Sequence, residues 1–95
     1  MSNLKISIVI PAYNRALTIS RTIDSFLAQD YSEWELLVVD DYSTDNINDI
    51  IYEYEKKDKR IHYLLNERKK GAQGARNTGI LHSQSEWIII FDSDD

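Results

Sequence analysis

Apolar positions along this chain change their spacing several times, and each change marks an element. Leu4 to Ile10 is rich in β-branched residues and runs into Pro11, so it reads as a first strand. From Ala16 the period shifts: Ile19, Ile23, Phe26 and Leu27 recur at helical spacing, with Asn14 available as N-cap. Trp34 to Val39 is an apolar run broken only by Glu35, the pattern of a strand buried on both faces. Ser43, Thr44 and Asp45 offer caps for a second helix whose stripe is Ile47, Ile50, Ile51 and Tyr54. Ile61 to Leu65 predicts a short third strand. Gly71 to Ser83 predicts a helix built on small residues (Ala72, Ala75, Gly79) that can lie close to a sheet. Trp87 to Phe91 predicts a fourth strand.

Strands alternating with helices (β-α-β-α-β-α-β) imply an α/β fold with a parallel four-stranded sheet joined by right-handed crossovers. A doubly wound order of 3-2-1-4 puts the topological switch between strands one and four, and ligands of such sheets bind outside the carboxyl ends of the strands. Three segments distant in sequence then converge at one edge: "PAYNR" after strand one, "VVDDYSTD" after strand two and "FDSDD" after strand four. Tyr13, Asn14, Asp40, Asp41, Asp92, Asp94 and Asp95 belong to them. Alternation sends Asp40 and Asp41 to opposite faces, so at most one of them faces the crevice. Asp92 and Asp94 can share a face, with Asp95 beside them if a turn begins.

Carboxylates gathered that closely repel unless a cation sits among them. With no cysteine in the chain and oxygen ligands alone, the matching ion is hard: Mg²⁺ or Mn²⁺, which keeps part of its shell for substrate phosphate oxygens. A lone D-x-D is more often just a polar turn after a strand; its arrival beside "AYN" and "VVDD" at the same edge favours the metal reading. Taken singly, Tyr13 reads as a half-buried aromatic and Arg76 as a carbonyl cap or carboxylate partner.

Composition narrows the classes. A net charge of −5 argues against nucleic acid as partner, because phosphate backbones select basic surfaces. The basic cluster from Lys56 to Arg60, broken by Asp58, reads as a solvated helix end, and the "ERKKG" run as a loop. No stretch approaches the roughly 20 apolar residues of a membrane span, and the N-terminal run is too short and interrupted for a secretory signal. Ninety-five residues hold one small domain.

The segments "ISIVIPAYNRALTISRTIDSFLAQDYSEWELLVVDDYSTDN", "GAQGARNTGI" and "WIIIFDSDD" together resemble the N-terminal half of family 2 glycosyltransferases. The resemblance covers essentially the whole chain. It implies a Rossmann-like GT-A fold, a three-layer α/β/α sandwich, and an inverting enzyme that takes a nucleoside-diphosphate sugar, with UDP-sugars favoured. Pro11, Ala12 and Tyr13 would bound the base, with Tyr13 stacking on a uracil-like ring and Asn14 following at the same site. Asp41 would accept a hydrogen bond from the base N–H, with Asp40 as its structural partner. Asp92 and Asp94 would be the D-x-D that meets ribose and metal, and Asp95 a further acidic position; Arg76 offers an anion contact.

In that family the chain continues into an acceptor-binding half that supplies the general base. Residues 1–95 are therefore expected to be a donor-binding half-domain cut after the D-x-D, inactive in transfer by itself. The expected acceptor is a saccharide or a lipid-linked one, and the expected location is the cytoplasm, with the inner membrane face as the place where the full-length protein meets a lipid-linked acceptor.

Other readings fit less well. A nicotinamide-binding domain wants G-x-G-x-x-G directly after strand one, where this chain has "PAYNRA". A receiver domain carries its acidic pair after strand one rather than strand two. A nucleotidyltransferase and a non-catalytic binding module stay open at this stage.

Overall fold

Residues 6–92 are described in the computed structural model. The apolar runs form β1 (Ile6–Ala12), β2 (Trp34–Asp40), β3 (Ile61–Leu65) and β4 (Trp87–Ile90), separated by α1 (Ile19–Leu27), α2 (Ile47–Lys57) and α3 (Ala72–His82). All pairings are parallel and the order is β3-β2-β1-β4, as the alternation implies.

Side-chain alternation sorts the sheet into two faces. Ile8, Ile10, Ala12, Leu36 and Val38 pack with Ile19 and Ile23 of α1 and Ile47 and Ile51 of α2. Val9, Leu37 and Val39 point the other way, onto Ala75 of α3. The result is three layers. Gly79 lets α3 lie tight against the sheet, since a Cβ there would fall 2.3 Å from Val9 Cγ1. Ala72 departs from the small-residue expectation: it is exposed and borders a cleft rather than the sheet.

β1 runs two residues further than its pattern suggests, through Pro11. Val9 C=O accepts from Phe91 N–H, and Ala12 C=O accepts from Asp41 N–H. Odd residues of β1 therefore turn their backbone groups toward β4 and even ones toward β2. Pro11 falls on the β4 side, past the last β1–β4 register pair at Val9 and Ile90, where an absent N–H breaks no ladder.

Two helix starts differ from expectation. α1 begins at Ile19 behind a turn closed by Thr18 and Ile19 N–H on Arg15 C=O, so Asn14 is not its cap. Asn14 takes a left-handed conformation (φ 53°) that asparagine tolerates, and spends its side chain on the neighbouring loop. α2 starts after Asn46, and of the three expected caps Asp45 alone meets its first turn, accepting from Ile47 N–H.

β4 forms one edge of the sheet, and its four residues are all exposed, Trp87 at 69%. Phe91, just beyond it, meets Phe26 of α1 edge to face at 5.4 Å.

Candidate functional site

The carboxyl ends of β1, β2 and β4 meet around an open cleft of about 270 Å³, lined by Pro11, Ala12, Tyr13, Arg15, Asp41, Lys70, Ala72 and Asp92. Of the residues singled out in the sequence, Pro11, Ala12, Tyr13, Asp41 and Asp92 come together there. Asp94 and Asp95 lie outside the described residues.

Asp40 and Asp41 separate as the pleat requires. Asp40, 5% exposed, turns to the face of α1 and α2, where it accepts from Ser43 N–H at 2.8 Å and Tyr63 O–H at 2.7 Å. Burial, then the hydrogen bond and charge of Asp40, push the Tyr63 phenol well above its ordinary pKa. Asp40 thus ties the β2 loop to β3 and does not line the cleft. Asp41, 7% exposed, turns to the α3 face, where Asn66 Nδ2–H donates to its Oδ1 at 2.9 Å and Gly71 N–H approaches both oxygens at 3.0 Å. Gly71 sits at φ +135°, a backbone conformation that L side chains rarely adopt.

Asn14 stitches the loops after β1 and β2 together. Its Oδ1 accepts from Thr44 N–H at 2.8 Å, and its own N–H donates to Ser43 Oγ at 2.9 Å. Ala16 N–H adds a bond to Asp45 Oδ2. Tyr42 also holds a positive φ (61°), anchored by its hydroxyl on Asn66 C=O. A bulky residue stays in that region only where its surroundings impose it.

Tyr13 is 45% exposed, with the Lys70 ammonium 4.0 Å from its ring centroid. Lys70 Nζ also lies 3.9 Å from Asp41 Oδ2. Arg76, from α3, reaches Asp92 at 3.6 Å. The cleft therefore combines one aromatic face, two carboxylates and the cations of Arg15 and Lys70. That set suits a ligand with a flat ring at one end and phosphate at the other.

Sequence reasoning missed Arg15, Lys70 and Asn66. β3 ends at the same sheet edge as its neighbours, and applying the convergence argument to the "NERKKG" that follows it would have brought Asn66 and Lys70 in. Among the described residues no group of three His, Cys, Asp or Glu side chains could hold a metal. Of the two cleft carboxylates, Asp92 is the one not tied to Asn66 and Gly71, and one carboxylate is compatible with Mg²⁺ or Mn²⁺ chemistry in which substrate phosphates complete the shell.

Comparison with known proteins gives the same picture. The chain is 46% identical over its whole length to the UDP-Glc:alpha-D-GlcNAc-diphosphoundecaprenol beta-1,3-glucosyltransferase WfgD of Escherichia coli, spanning 37% of that protein. The structure superposes on S. aureus TarS 1-349 in complex with UDP at a TM-score of 0.85 and 31% identity, covering 96% of this chain and 28% of TarS 1-349. A mannosyltransferase of Pyrobaculum calidifontis in complex with GDP-Man and Mn²⁺ follows at 0.84 and 26%, covering 95% of this chain and 27% of that one. The family described as Glycosyl transferase family 2 matches residues 7–95. Fold and sequence agree, and the chain belongs to glycosyltransferase family 2, with the GT-A architecture of its structural neighbours.

Proposed function

We propose that this chain is the donor-binding half of a metal-dependent inverting glycosyltransferase that uses a UDP-sugar. The observation that carries the reading is the convergence of Tyr13, Asp41 and Asp92, from three different strand ends, on one cleft. Tyr13 offers its ring to the base. Asp41, fixed by Asn66 and Gly71, accepts the base N–H. Arg15 and Lys70 stand where the diphosphate would run, and charge-assisted hydrogen bonds to phosphate need such donors. Asp92, together with Asp94 and Asp95, would hold Mn²⁺ or Mg²⁺, which supplies stabilisation of the departing nucleoside diphosphate.

Transfer with inversion breaks the bond from anomeric carbon to phosphate oxygen as the acceptor oxygen attacks from the opposite side. The acceptor proton goes to a general base. That base is assigned to the part of the longer relatives that this chain does not span, together with the acceptor site. WfgD is named for a diphosphoundecaprenol-linked acceptor; a lipid-linked saccharide is proposed here, in polysaccharide synthesis, met at the cytoplasmic membrane face. Among the described residues no helix is long and apolar enough to cross a membrane.

Calorimetric titration with UDP and with GDP, each with and without Mn²⁺, tests the donor site. Metal-dependent binding that favours UDP is expected. UDP affinity indifferent to Mn²⁺ contradicts the metal role, and absence of UDP binding contradicts the donor site itself.

A further inference from the structure

Asn66 follows β3 directly and is 1% exposed, yet every polar group it carries is engaged. Its backbone N–H donates to Asp40 C=O, and its C=O accepts from Tyr42 O–H. Its side-chain amide donates to Asp41 Oδ1 at 2.9 Å and Lys69 C=O at 3.2 Å, while its Oδ1 accepts from Arg68 N–H and Thr78 Oγ–H, both at 2.9 Å. The amide can face only one way. Lys69 C=O has no proton to give and Arg68 N–H has no lone pair, so a flipped amide would break both contacts.

That orientation decides what Asp41 has left. Oδ1 takes the Asn66 amide and shares the Gly71 N–H with Oδ2, each at 3.0 Å from that nitrogen. Oδ2, which the Asn66 amide does not reach, keeps its remaining acceptor capacity for the cleft, with Lys70 at 3.9 Å. An acceptor held rigidly in a nearly dry position rewards a base that presents N–H and penalises one that presents a lone pair. Uracil carries N–H at ring position 3; cytosine carries a lone pair there.

We infer that Asn66 is a positioning residue that sets the preference for uracil over cytosine, acting through Asp41. The inference rests on the proposed role of Asp41 as acceptor for the base N–H. Residues that shape the cleft without touching the ligand usually affect all ligands alike; Asn66 acts on one oxygen, so it should change the ratio between two bases.

The test is calorimetry of the whole chain with UDP and CDP in the presence of Mn²⁺, for wild type, Asp41→Asn, Asn66→Asp and Asn66→Ala. Asn66→Asp keeps the acceptor for Arg68 and Thr78 but replaces the donor to Asp41 with an oxygen. The UDP-to-CDP affinity ratio is expected to fall by roughly tenfold, the scale of one hydrogen bond to a charged group. Equal weakening of UDP and CDP, with the ratio kept, would make Asn66 purely structural and overturn the inference. If thermal melting shows Asn66→Asp unfolded, Asn66→Ala decides. It removes the donor to Asp41 Oδ1 without bringing a second carboxylate beside it, and a ratio equal to wild type then refutes the proposal. Asp41→Asn separates the two layers of the argument: a wild-type ratio in that variant removes the base-reading role of Asp41, whereas a collapsed ratio there beside an intact one in the Asn66 variants removes only Asn66.

Discussion

Removing one oxygen atom from Tyr63 separates architecture from ligand binding. The Tyr63 hydroxyl donates to Asp40 Oδ2 at 2.7 Å, and Asp40 has Ser43 N–H as its other anchor at 2.8 Å. Tyr63→Phe leaves a carboxylate oxygen of a side chain only 5% exposed without its donor. Hydrogen bonds to charged groups contribute about 1.5–3 kcal/mol. Tyr63 is itself half-buried, so water can answer part of the loss, which puts the expected cost near the lower end, about 1.5 kcal/mol. For a domain of this size that lowers Tm by roughly 7 °C, read by circular dichroism melting. UDP affinity should stay at the wild-type value, because Asp40 faces away from the cleft. A shift below about 2 °C would mean that the Asp40 anchor stabilises nothing; lost UDP binding with unchanged melting would put Asp40 in the donor site.

The same variant has an alkaline signature. Burial, and then Asp40, raise the Tyr63 pKa above its ordinary value. A raised pKa means that the folded chain holds its proton where the unfolded chain has lost it. The stabilisation is complete below about pH 10, the ordinary tyrosine value, and declines above it. The margin of wild type over Tyr63→Phe should therefore narrow as pH climbs past that point.

Two further outcomes are expected. Arg60 binds both oxygens of Asp58 and stacks on Trp34 at 3.9 Å, and its side-chain hydrogen bond is the main cause of the lowered Asp58 pKa. Both partners are partly exposed, so Asp58→Asn should cost about 0.5–1 kcal/mol at neutral pH by urea unfolding. A depressed carboxylate stabilises above the ordinary value near 4 and ceases to do so as pH falls through its own pKa. The difference should vanish at strongly acid pH, and a difference that persists there would assign the cost to something other than charge. Tyr13→Ala should weaken UDP binding by about 1 kcal/mol, or about fivefold, in calorimetry; unchanged affinity would reduce the ring to a cover for Lys70.

Most of the framework was legible because two signals agreed. Periodicity separated helices from strands, and alternation along a parallel sheet sent Asp40 and Asp41 to opposite faces. Helix starts were less legible. Asn14 has the chemistry of a cap, but bonds to Ser43 and Thr44, thirty residues away, compete for it, and no local pattern reports such a partner. The exposure of Trp87 to Phe91 was not legible either, because an apolar run reads as a strand whether its faces are covered or bare. Lys70 and Asn66 escaped for a different reason: a polar run after a short strand looks like any loop until its end is placed beside two others.

The two tryptophans occupy opposite extremes, Trp34 at 3% exposure in the core and Trp87 at 69% on the bare strand. Light emitted by this chain therefore comes from two independent reporters. Iodide in the solvent will dim the outer indole far more than the inner one. Anything that settles on the β4 edge will shield the outer emitter, so occupancy of that strand can be followed optically without a label.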